Sequence, residues 1–203
     1  MASSRRRLIA ATLLAGLALC GPAFGAINKS ALPDDMSLGN PMARLVVVEY
    51  ASASCPHCAH FNNDVFPAFK AKYIDTGRVK YVFREFLTPP QEVAAASFLL
   101  ARCAGKDKYF SVLDAVFRGQ EQMYQSGDVK GTLLHVAQGA GMNEAEFNAC
   151  LTNEAAGDAL NARVNRYAKE DGINSTPTFV VNGRKMEGAA TLANLDAAIA
   201  AVH

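Results

Sequence analysis

Three apolar runs rich in β-branched residues mark the strands that this chain is expected to form. The run at 45–50 is almost continuously apolar, as in a central strand covered on both faces, and a similar run occupies 79–86. The run at 178–181 meets Asn182-Gly183, the strongest two-residue hairpin signal, and returns through 184–187. The pattern therefore predicts two strands of a sheet and a later hairpin.

A helical pattern of apolar residues separates the first two strands. It begins after residues 51–54, and Ser54 is expected at the N-cap or one position before it. Pro67 should kink or restart this helix, because proline lacks an N–H and its ring clashes with the preceding turn. Strand, helix and strand form a βαβ unit, for which a right-handed crossover is expected.

The remaining segments have less regular patterns. Residues 26–43 are expected to be an irregular lead-in with turns, so that regular structure begins at Arg44. The Ala-rich residues that follow the second strand have several glycine breaks, which predicts several short helices, and an amphipathic helix closes the chain. The order βαβ, helical insert, ββα predicts an α/β, thioredoxin-like fold in one domain, 26–203. Its core would span about 35–90 and 173–203, interrupted by an inserted helical subdomain at about 91–172.

Residues 1–25 have the composition of a signal peptide. Three arginines precede an apolar run at 8–19, and small residues follow at Ala23 and Gly25. The run is too short to cross a bilayer, which needs about 20 apolar residues. We therefore expect cleavage before Ala26 and export to the periplasm by the Sec or the twin-arginine route.

The charge of the chain gives no indication of a nucleic-acid partner. The full sequence carries 20 basic and 19 acidic residues, and loss of residues 1–25 leaves 17 basic and 19 acidic residues, a formal charge of −2. The 178 residues that remain suit one domain with one core, and no second apolar span follows. We expect the mature protein to be soluble and monomeric.

Four cysteines remain after residues 1–25 are removed, namely Cys55, Cys58, Cys103 and Cys150. An even number of cysteines in an exported chain indicates two disulfides. Cys103 and Cys150 lie in the predicted helical insert, where a structural disulfide would close a loop of 47 positions and contribute up to about 4 kcal/mol. The alternative is that both are buried, unpaired thiols that act as small apolar residues.

The segment Cys55-Pro56-His57-Cys58 is the candidate reactive site. A cysteine at the start of a helix lies near unpaired N–H groups and the positive end of the helix dipole, and both favour its thiolate. A charged His57 would add a cation beside Cys55, and Cys58, about one turn further, could close a disulfide. Such a pair is also half of a zinc site or a chance occurrence, but the sequence contains no second Cys-x-x-Cys.

Over essentially its whole mature length the chain resembles the DsbA family of bacterial thiol:disulfide oxidoreductases. The specific motifs are Cys55-Pro56-His57-Cys58 and Thr176-Pro177, and supporting segments are Leu38-Gly39-Asn40-Pro41, Val48-Glu49-Tyr50, Phe83-Arg84-Glu85-Phe86 and Asn182-Gly183. The segment Leu87-Thr88-Pro89-Pro90 departs from the pattern, since many relatives have a Pro-Leu pair followed by a histidine there.

This resemblance implies roles for three further residues. Pro177 would be a cis-proline that faces the cysteine pair, and with Thr176 it would hold a partner's chain beside the reactive sulfur. The alternative is a trans-proline at the start of an edge strand. Glu49, six positions before Cys55, would pass protons to and from Cys58 if it is buried. Otherwise Glu49 would lie at a hydrated strand end or in a structural ion pair.

The resemblance implies donation of disulfides to reduced, newly exported proteins and reoxidation by a quinone-linked membrane protein, without a bound cofactor or metal. A disulfide isomerase and a reductase are the alternatives within thiol chemistry. Isomerases of this kind usually carry an N-terminal dimerisation domain, whereas only about 18 residues, 26–43, precede the first strong strand here. A function of another class is a copper or zinc carrier that binds through Cys55, Cys58 and a histidine such as His60 or His135.

Overall fold

The computed structural model describes residues 32–186 and 189–202. The predicted signal peptide, residues 1–25, lies outside these ranges, and so does Glu187 at the expected end of the hairpin. Within the described ranges, no helix combines the length and the apolar character that a membrane span requires.

A five-stranded mixed sheet runs through the described chain, with the strand order β1-β3-β2-β4-β5. The strands are β1 Met36–Gly39, β2 Leu45–Ala51, β3 Val79–Glu85, β4 Thr178–Val181 and β5 Arg184–Lys185. β2 and β3 are parallel, whereas the other neighbouring pairs are antiparallel. The sheet thus contains both the βαβ unit and the hairpin, whose Asn182 and Gly183 have φ angles of 46° and 83°, as a tight hairpin turn requires.

Helices flank the sheet and form the segment between β3 and β4. They are α1 Pro56–His60, α2 Phe66–Phe69, α3 Gln91–Cys103, α4 Tyr109–Ser126, α5 Val129–Gly139, α6 Glu144–Leu151, α7 Glu154–Glu170 and α8 Leu192–Ala200. A disulfide joins Cys103, the last residue of α3, to Cys150 in α6, with 6.2 Å between the two Cα atoms. Two helices of the insert are therefore covalently linked.

The expectation of an irregular lead-in before Arg44 is wrong. Residues 36–39 form β1, which pairs antiparallel with β3 along its whole length. The strand has only four residues between two turns, so its alternation is too short to be distinguished from a loop by pattern alone. Gly39 is required at its end, because its φ is +87° and a Cβ there would lie 2.4 Å from Val79 O.

The helical segment after β2 passes Pro67 by forming π-helical turns. These turns occupy Phe61–Val65 and Lys70–Ile74, on either side of α2. The N–H of Phe66 donates to Phe61 O, five residues back. The extra residue in such a turn keeps the preceding backbone clear of the ring of Pro67. It also accommodates the N–H that proline lacks.

Two apolar clusters cover opposite faces of the sheet. The larger cluster contains Val47 and Phe179 and includes residues of α1 and α8. The smaller contains Val48 and Val180, which alternate with those residues along the same strands, and Tyr167 of α7. Because both faces are covered, β2 and β4 are buried almost throughout, which accounts for their continuous apolar runs.

Arg84 of β3 is a buried cation beneath the smaller cluster. Its guanidinium donates to Asp35 at 3.1 and 3.2 Å and to Asp171 at 2.9 Å. It also donates to the hydroxyl of Tyr50 at 2.7 Å, and that hydroxyl donates to Asp171 at 2.6 Å. Since Asp35 precedes β1 and Asp171 follows α7, this network fastens both connecting segments to the sheet.

Replacing Arg84 with methionine should lower the free energy of unfolding by about 3–5 kcal/mol, because Asp35 and Asp171 would stay buried without their cation. Arg118→Met is the matched control, since Arg118 pairs with Asp114 but its side chain is 55% exposed. Its loss should change stability by less than about 1 kcal/mol. Urea unfolding measures both variants, and equal effects would contradict a structural role for the buried network.

Candidate active site

The cysteine pair lies where β2 leads into α1. Cys55 is the N-cap residue of α1 with Pro56 at the start of the helix, and Cys55 O accepts the N–H groups of Cys58 and Ala59 at 3.1 Å each. Proline is favoured at this position because the first N–H groups of a helix have no partner within it. Both cysteines are free thiols, Cys55 8% exposed and Cys58 fully buried. Cys55 is therefore the sulfur that a reactant can reach.

The loop between α7 and β4 lies against Cys55. Its Thr176-Pro177 peptide bond is cis, and the Cys55 thiol donates to Thr176 O across 3.5 Å. The Thr176 hydroxyl is buried and has no hydrogen-bond partner among the described residues. Thr178, the first residue of β4, donates to Ser175 O at 2.7 Å, which ties the loop to the strand that follows it. Two segments far apart in the sequence thus meet at one sulfur.

These surroundings lower the pKa of the Cys55 thiol from 9.0 to about 5. The largest cause is a hydrogen bond from the Cys58 thiol. The side chain of Thr176 and the backbone N–H groups of Cys58 and His57 act in the same direction, against the effect of burial. The expected influence of the helix N-terminus is therefore carried by two identified N–H groups. The contribution found for His57 comes from its backbone, while its side chain is exposed.

The surroundings of Cys58 act in the opposite direction. Burial, the hydrogen bond to Cys55 and the charge of Glu49 raise the pKa of the Cys58 thiol well above 9.0. The backbone N–H of Ser52 donates to Cys58 Sγ across 3.5 Å and opposes this shift only weakly. At neutral pH the site therefore favours a thiolate on the outer cysteine and a neutral thiol on the inner one.

Glu49 is a buried carboxyl in the middle of β2, only 3% exposed. Burial raises the pKa of this carboxyl to about 8, and the hydroxyl of Tyr81, which donates to Glu49 Oε2, acts in the opposite direction. Its burial excludes a hydrated strand end. No lysine or arginine in the described part of the chain forms an ion pair with it.

A cavity of about 320 Å³ has Glu49 and Tyr81 on its wall. The rest of its wall is largely aromatic and apolar, including Leu38, Phe61, Phe66, Phe83, Phe110 and Phe117. Lys70, whose side chain is 42% exposed, also lines it. The buried carboxyl therefore borders a space that extends to exposed residues away from Cys55.

Residues of the helical insert that hold the loop before Cys55 were missed by the sequence analysis. Gln120 of α4 donates to Ala53 O at 2.7 Å and to Cys55 O at 3.4 Å, and Tyr124, one turn later, donates to Ser54 O at 3.2 Å. A signal was available, because Gln120 is a polar residue on the otherwise apolar buried face of α4. A buried amide needs hydrogen-bond partners.

The segment after β3 holds the same loop from another side. The hydroxyl of Ser54 donates to Thr88 O at 2.7 Å, and the N–H of Thr88 donates to Ser52 Oγ at 3.2 Å. Ser54 lies one position before the N-cap, and its hydroxyl makes no cap to α1. The segment at 87–90, which departs from the family's pattern, is therefore part of the wall around the cysteines.

The histidines proposed as metal ligands lie elsewhere. His60 Nδ1 pairs with Asp64 at 2.6 Å, and its side chain is 70% exposed. His135 is an exposed residue of α5. Over residues 32–186 and 189–202, no group of three or more His, Cys, Asp or Glu side chains could hold a metal ion.

A family model described as Thioredoxin matches residues 31–201. A Rickettsia typhi protein with the provisional name protein-disulfide oxidoreductase is 37% identical over 155 residues, which cover 76% of this chain and 57% of that protein. A Rickettsia conorii protein with the same provisional name is 38% identical over 165 residues, covering 80% and 59%. This chain therefore spans somewhat less than three fifths of the length of these curated relatives.

Solved structures resemble the described chain over most of its length. The alpha-DsbA1 protein of Wolbachia pipientis matches with a TM-score of 0.76 and 29% identity, over 84% of this chain and 92% of that one. BdbD of Bacillus subtilis matches with a TM-score of 0.70 and 23% identity, over 82% and 91%, and supports the fold alone. The predicted fold class, a thioredoxin-like fold with a helical insert, is confirmed.

Cys55 should react with iodoacetamide at a rate that rises with pH through about 5, because the thiolate is the nucleophile and its pKa is lowered to about 5. Cys58 should stay slow throughout the range from pH 4 to pH 8. Mass spectrometry of the reduced protein, quenched at intervals, measures both rates, and Cys55→Ser isolates the reaction of Cys58. A Cys55 profile centred near ~8.5, as for a free thiol, would contradict the stabilised thiolate.

Proposed function

Since the chain belongs to the thioredoxin family and has the fold of its DsbA members, we propose that it is a thiol:disulfide oxidoreductase that donates the Cys55–Cys58 disulfide to reduced proteins. The observation that carries this proposal is the opposite shift of the two thiol pKa values, downward at Cys55 and upward at Cys58. A stabilised thiolate on the outer cysteine favours the dithiol form, and a protein that favours its dithiol form gives its disulfide away. The provisional name of the rickettsial relatives supports the same class of activity.

Donation begins from the disulfide between Cys55 and Cys58. A thiolate of the substrate protein attacks Cys55 Sγ, which forms a mixed disulfide and leaves the electron pair of the broken bond on Cys58 Sγ. A second substrate thiolate attacks the substrate sulfur of that mixed disulfide. The substrate's own disulfide forms, and Cys55 departs as the thiolate that its surroundings stabilise. The two electrons lost by the substrate remain on the cysteine pair.

Glu49 supplies the proton that Cys58 requires after the first attack. A thiolate at Cys58 is strongly disfavoured by burial, whereas the Glu49 carboxyl, with a pKa of about 8, is mostly protonated at pH 7 and interacts electrostatically with Cys58. Proton transfer from Glu49 to Cys58 gives a neutral thiol and a carboxylate. The reverse transfer accompanies reoxidation of the pair.

Thr176 and Pro177 form the surface that holds the substrate chain beside Cys55. The contact of Thr176 O with the Cys55 thiol and the cis bond between Thr176 and Pro177 support this assignment. The Thr176 hydroxyl, buried without a partner among the described residues, is placed to donate to the thiolate as Cys55 leaves. His57, exposed two residues after Cys55, is accessible to the approaching substrate.

The substrates would be reduced proteins newly exported to the periplasm, which the chain itself would reach through cleavage of residues 1–25. A quinone-linked membrane protein would reoxidise the cysteine pair, and the protein would act as a monomer without a cofactor. These partners follow from the family resemblance and from the composition of the N-terminal segment.

The dithiol form should be more stable than the disulfide form, and the difference should grow with pH. The pKa of Cys55 is lower in the folded protein than in the unfolded chain, so its contribution is present at high pH and disappears as the pH falls through about 5. Between pH 5 and pH 7 the difference in unfolding free energy should increase by about 2 kcal/mol. Urea unfolding of both redox forms at each pH measures it.

A Cys55→Ala, Cys58→Ala double variant is the control, since any difference that it shows between oxidising and reducing buffers comes from the Cys103–Cys150 disulfide and can be subtracted. The reduction potential against glutathione gives an independent reading. In DsbA itself the potential is about −120 mV, against about −270 mV for thioredoxin. A disulfide form that is the more stable one, with a potential near the thioredoxin value, would indicate a reductase, and an intermediate potential would favour an isomerase.

The mature chain should begin at Ala26, because small residues at 23 and 25 follow the apolar run. Expression of the full sequence in a Gram-negative host, followed by N-terminal sequencing of the periplasmic fraction, tests this. Recovery of a chain that still begins with Met1 in that fraction would overturn the assignment of residues 1–25 as a cleaved signal peptide.

A further inference from the structure

We propose that Tyr81 is a positioning residue for proton exchange between Glu49 and Cys58, because its hydroxyl donates to one oxygen, Oε2, of the buried Glu49 carboxyl and so fixes the orientation of that side chain. This inference rests on the proposed function, in which Glu49 passes protons to and from Cys58. It assigns Tyr81 a role that the Cys55-Pro56-His57-Cys58 motif and the cis-proline loop do not supply.

The two strands place Tyr81 and Glu49 on one face of the sheet. β2 and β3 run parallel, with Val47 opposite Tyr81 and Glu49 opposite Phe83. Since side chains two residues apart share a face, Tyr81 and Glu49 project toward the larger apolar cluster. The fully buried Cys58 belongs to that cluster as well. The hydroxyl, the carboxyl and the inner sulfur therefore lie on the same side of the sheet.

The Tyr81 ring is fixed by other aromatic side chains. Its centroid lies 5.1 Å from that of Phe66, 6.3 Å from Phe69 and 6.2 Å from Phe110. Tyr81 is 2% exposed, so neither water nor rotation of the ring offers its hydroxyl another partner at low cost. The hydroxyl donates to Glu49 Oε2, and the direction of this bond is set by packing.

This bond favours the carboxylate form of Glu49 over the acid form. A hydrogen bond to an ionised oxygen is roughly twice as strong as one between neutral groups. Donation from Tyr81 therefore lowers the pKa of Glu49 against the larger effect of burial. When Cys58 closes the disulfide, its thiol proton passes to the Glu49 carboxylate. Until that transfer, the hydrogen bond from Tyr81 stabilises the negative charge of Glu49.

The other charged and titratable groups near this pair do not replace Tyr81. When ionised, Cys55 raises the pKa of Glu49, and Cys58 raises the pKa of Tyr81. Tyr109 of α4 also raises the pKa of Tyr81. The remaining ionisable groups on the wall of the 320 Å³ cavity are Lys70, Asp114 and Arg118. Lys70 pairs with Asp75 at 2.5 Å and Arg118 with Asp114 at 2.8 Å.

The test follows closure of the disulfide with oxidised glutathione. In the reduced protein, Cys55 first attacks the glutathione disulfide and forms a mixed disulfide, after which Cys58 attacks Cys55 Sγ and releases glutathione. Only the second step needs a base to take the proton of Cys58. The rate of this second step should rise with pH through about 8, as Glu49 becomes a carboxylate. Rapid acid quenching and mass spectrometry follow both steps.

Tyr81→Phe keeps the ring and removes the hydroxyl. At pH 7 this change should slow the second step about tenfold and move its inflection upward by about one pH unit, because tenfold less Glu49 would be ionised. The first step should keep its wild-type rate. Tyr81→Met, which alters the packing differently, should give the same shift of the inflection, so that an effect of packing alone can be recognised.

A double-mutant cycle separates positioning from a structural effect. Glu49→Gln should remove the inflection, and addition of Tyr81→Phe to Glu49→Gln should then change the second step by less than about twofold. Tyr109→Phe is the matched control, since Tyr109 is a buried tyrosine that donates to a different carboxyl, Glu85, at 3.0 Å. It should leave the inflection unchanged.

Two outcomes would overturn the role of Tyr81. One is an unchanged inflection in Tyr81→Phe, and the other is equal slowing by Tyr81→Phe in the wild-type and the Glu49→Gln backgrounds. Failure of the proposed function would differ from both, because the first step, the attack by Cys55, would then lack its fast reaction near pH 7 in the wild-type protein.

Discussion

Negative charge is favoured on Cys55 and disfavoured on Cys58, although the two residues are one helical turn apart. The N-terminus of α1 supplies N–H groups to the outer sulfur, and the inner thiol donates a hydrogen bond to it. The inner sulfur is buried and lies near Glu49. A single proton is thus shared unequally by two chemically identical groups. The proposed direction of electron flow and the proposed role of a buried acid both rest on this asymmetry.

The helical insert holds the loop before Cys55 in addition to covering the sheet. Gln120 and Tyr124 of α4 bind the carbonyl groups of the three residues 53–55, which keeps those oxygens engaged just before the helix begins. Glu85, at the end of β3, accepts hydrogen bonds from Arg102 of α3 and Arg163 of α7, at 2.5 and 3.0 Å. The insert is therefore anchored at the carboxyl ends of β2 and β3, where the chain continues to the cysteines. Its hydrogen bonds hold the loop at 53–55 in place.

Local sequence signals predicted the parts of the molecule that depend on neighbouring residues. β2, β3 and the Asn182-Gly183 hairpin follow from β-branched runs and turn chemistry, and the position of Cys55 and Cys58 at a helix start follows from the helical pattern after β2. β1 was not predicted, because a strand of four residues shows too little alternation to be distinguished from a loop. Contacts such as Tyr81 with Glu49, or Gln120 with Ala53, depend on how distant segments pair in register. No pattern within one segment specifies them, although a polar residue at a buried helix position marks where such a contact must exist.

Glu49 shows how the fold gives up stability at this site. A carboxyl whose pKa is raised from 4.5 to about 8 opposes folding increasingly as the pH rises between these values. At pH 7 the cost is about 3 kcal/mol, similar in size to the stabilisation that the Cys55 thiolate gives the dithiol form. The Glu49 cost arises from burial and is therefore present in both redox forms, whereas the thiolate exists in only one. In the proposed mechanism, a buried acid that lowers the stability of every form is retained for its proton exchange with Cys58, and the hydroxyl of Tyr81 limits the cost because it lowers the pKa of Glu49 against the effect of burial.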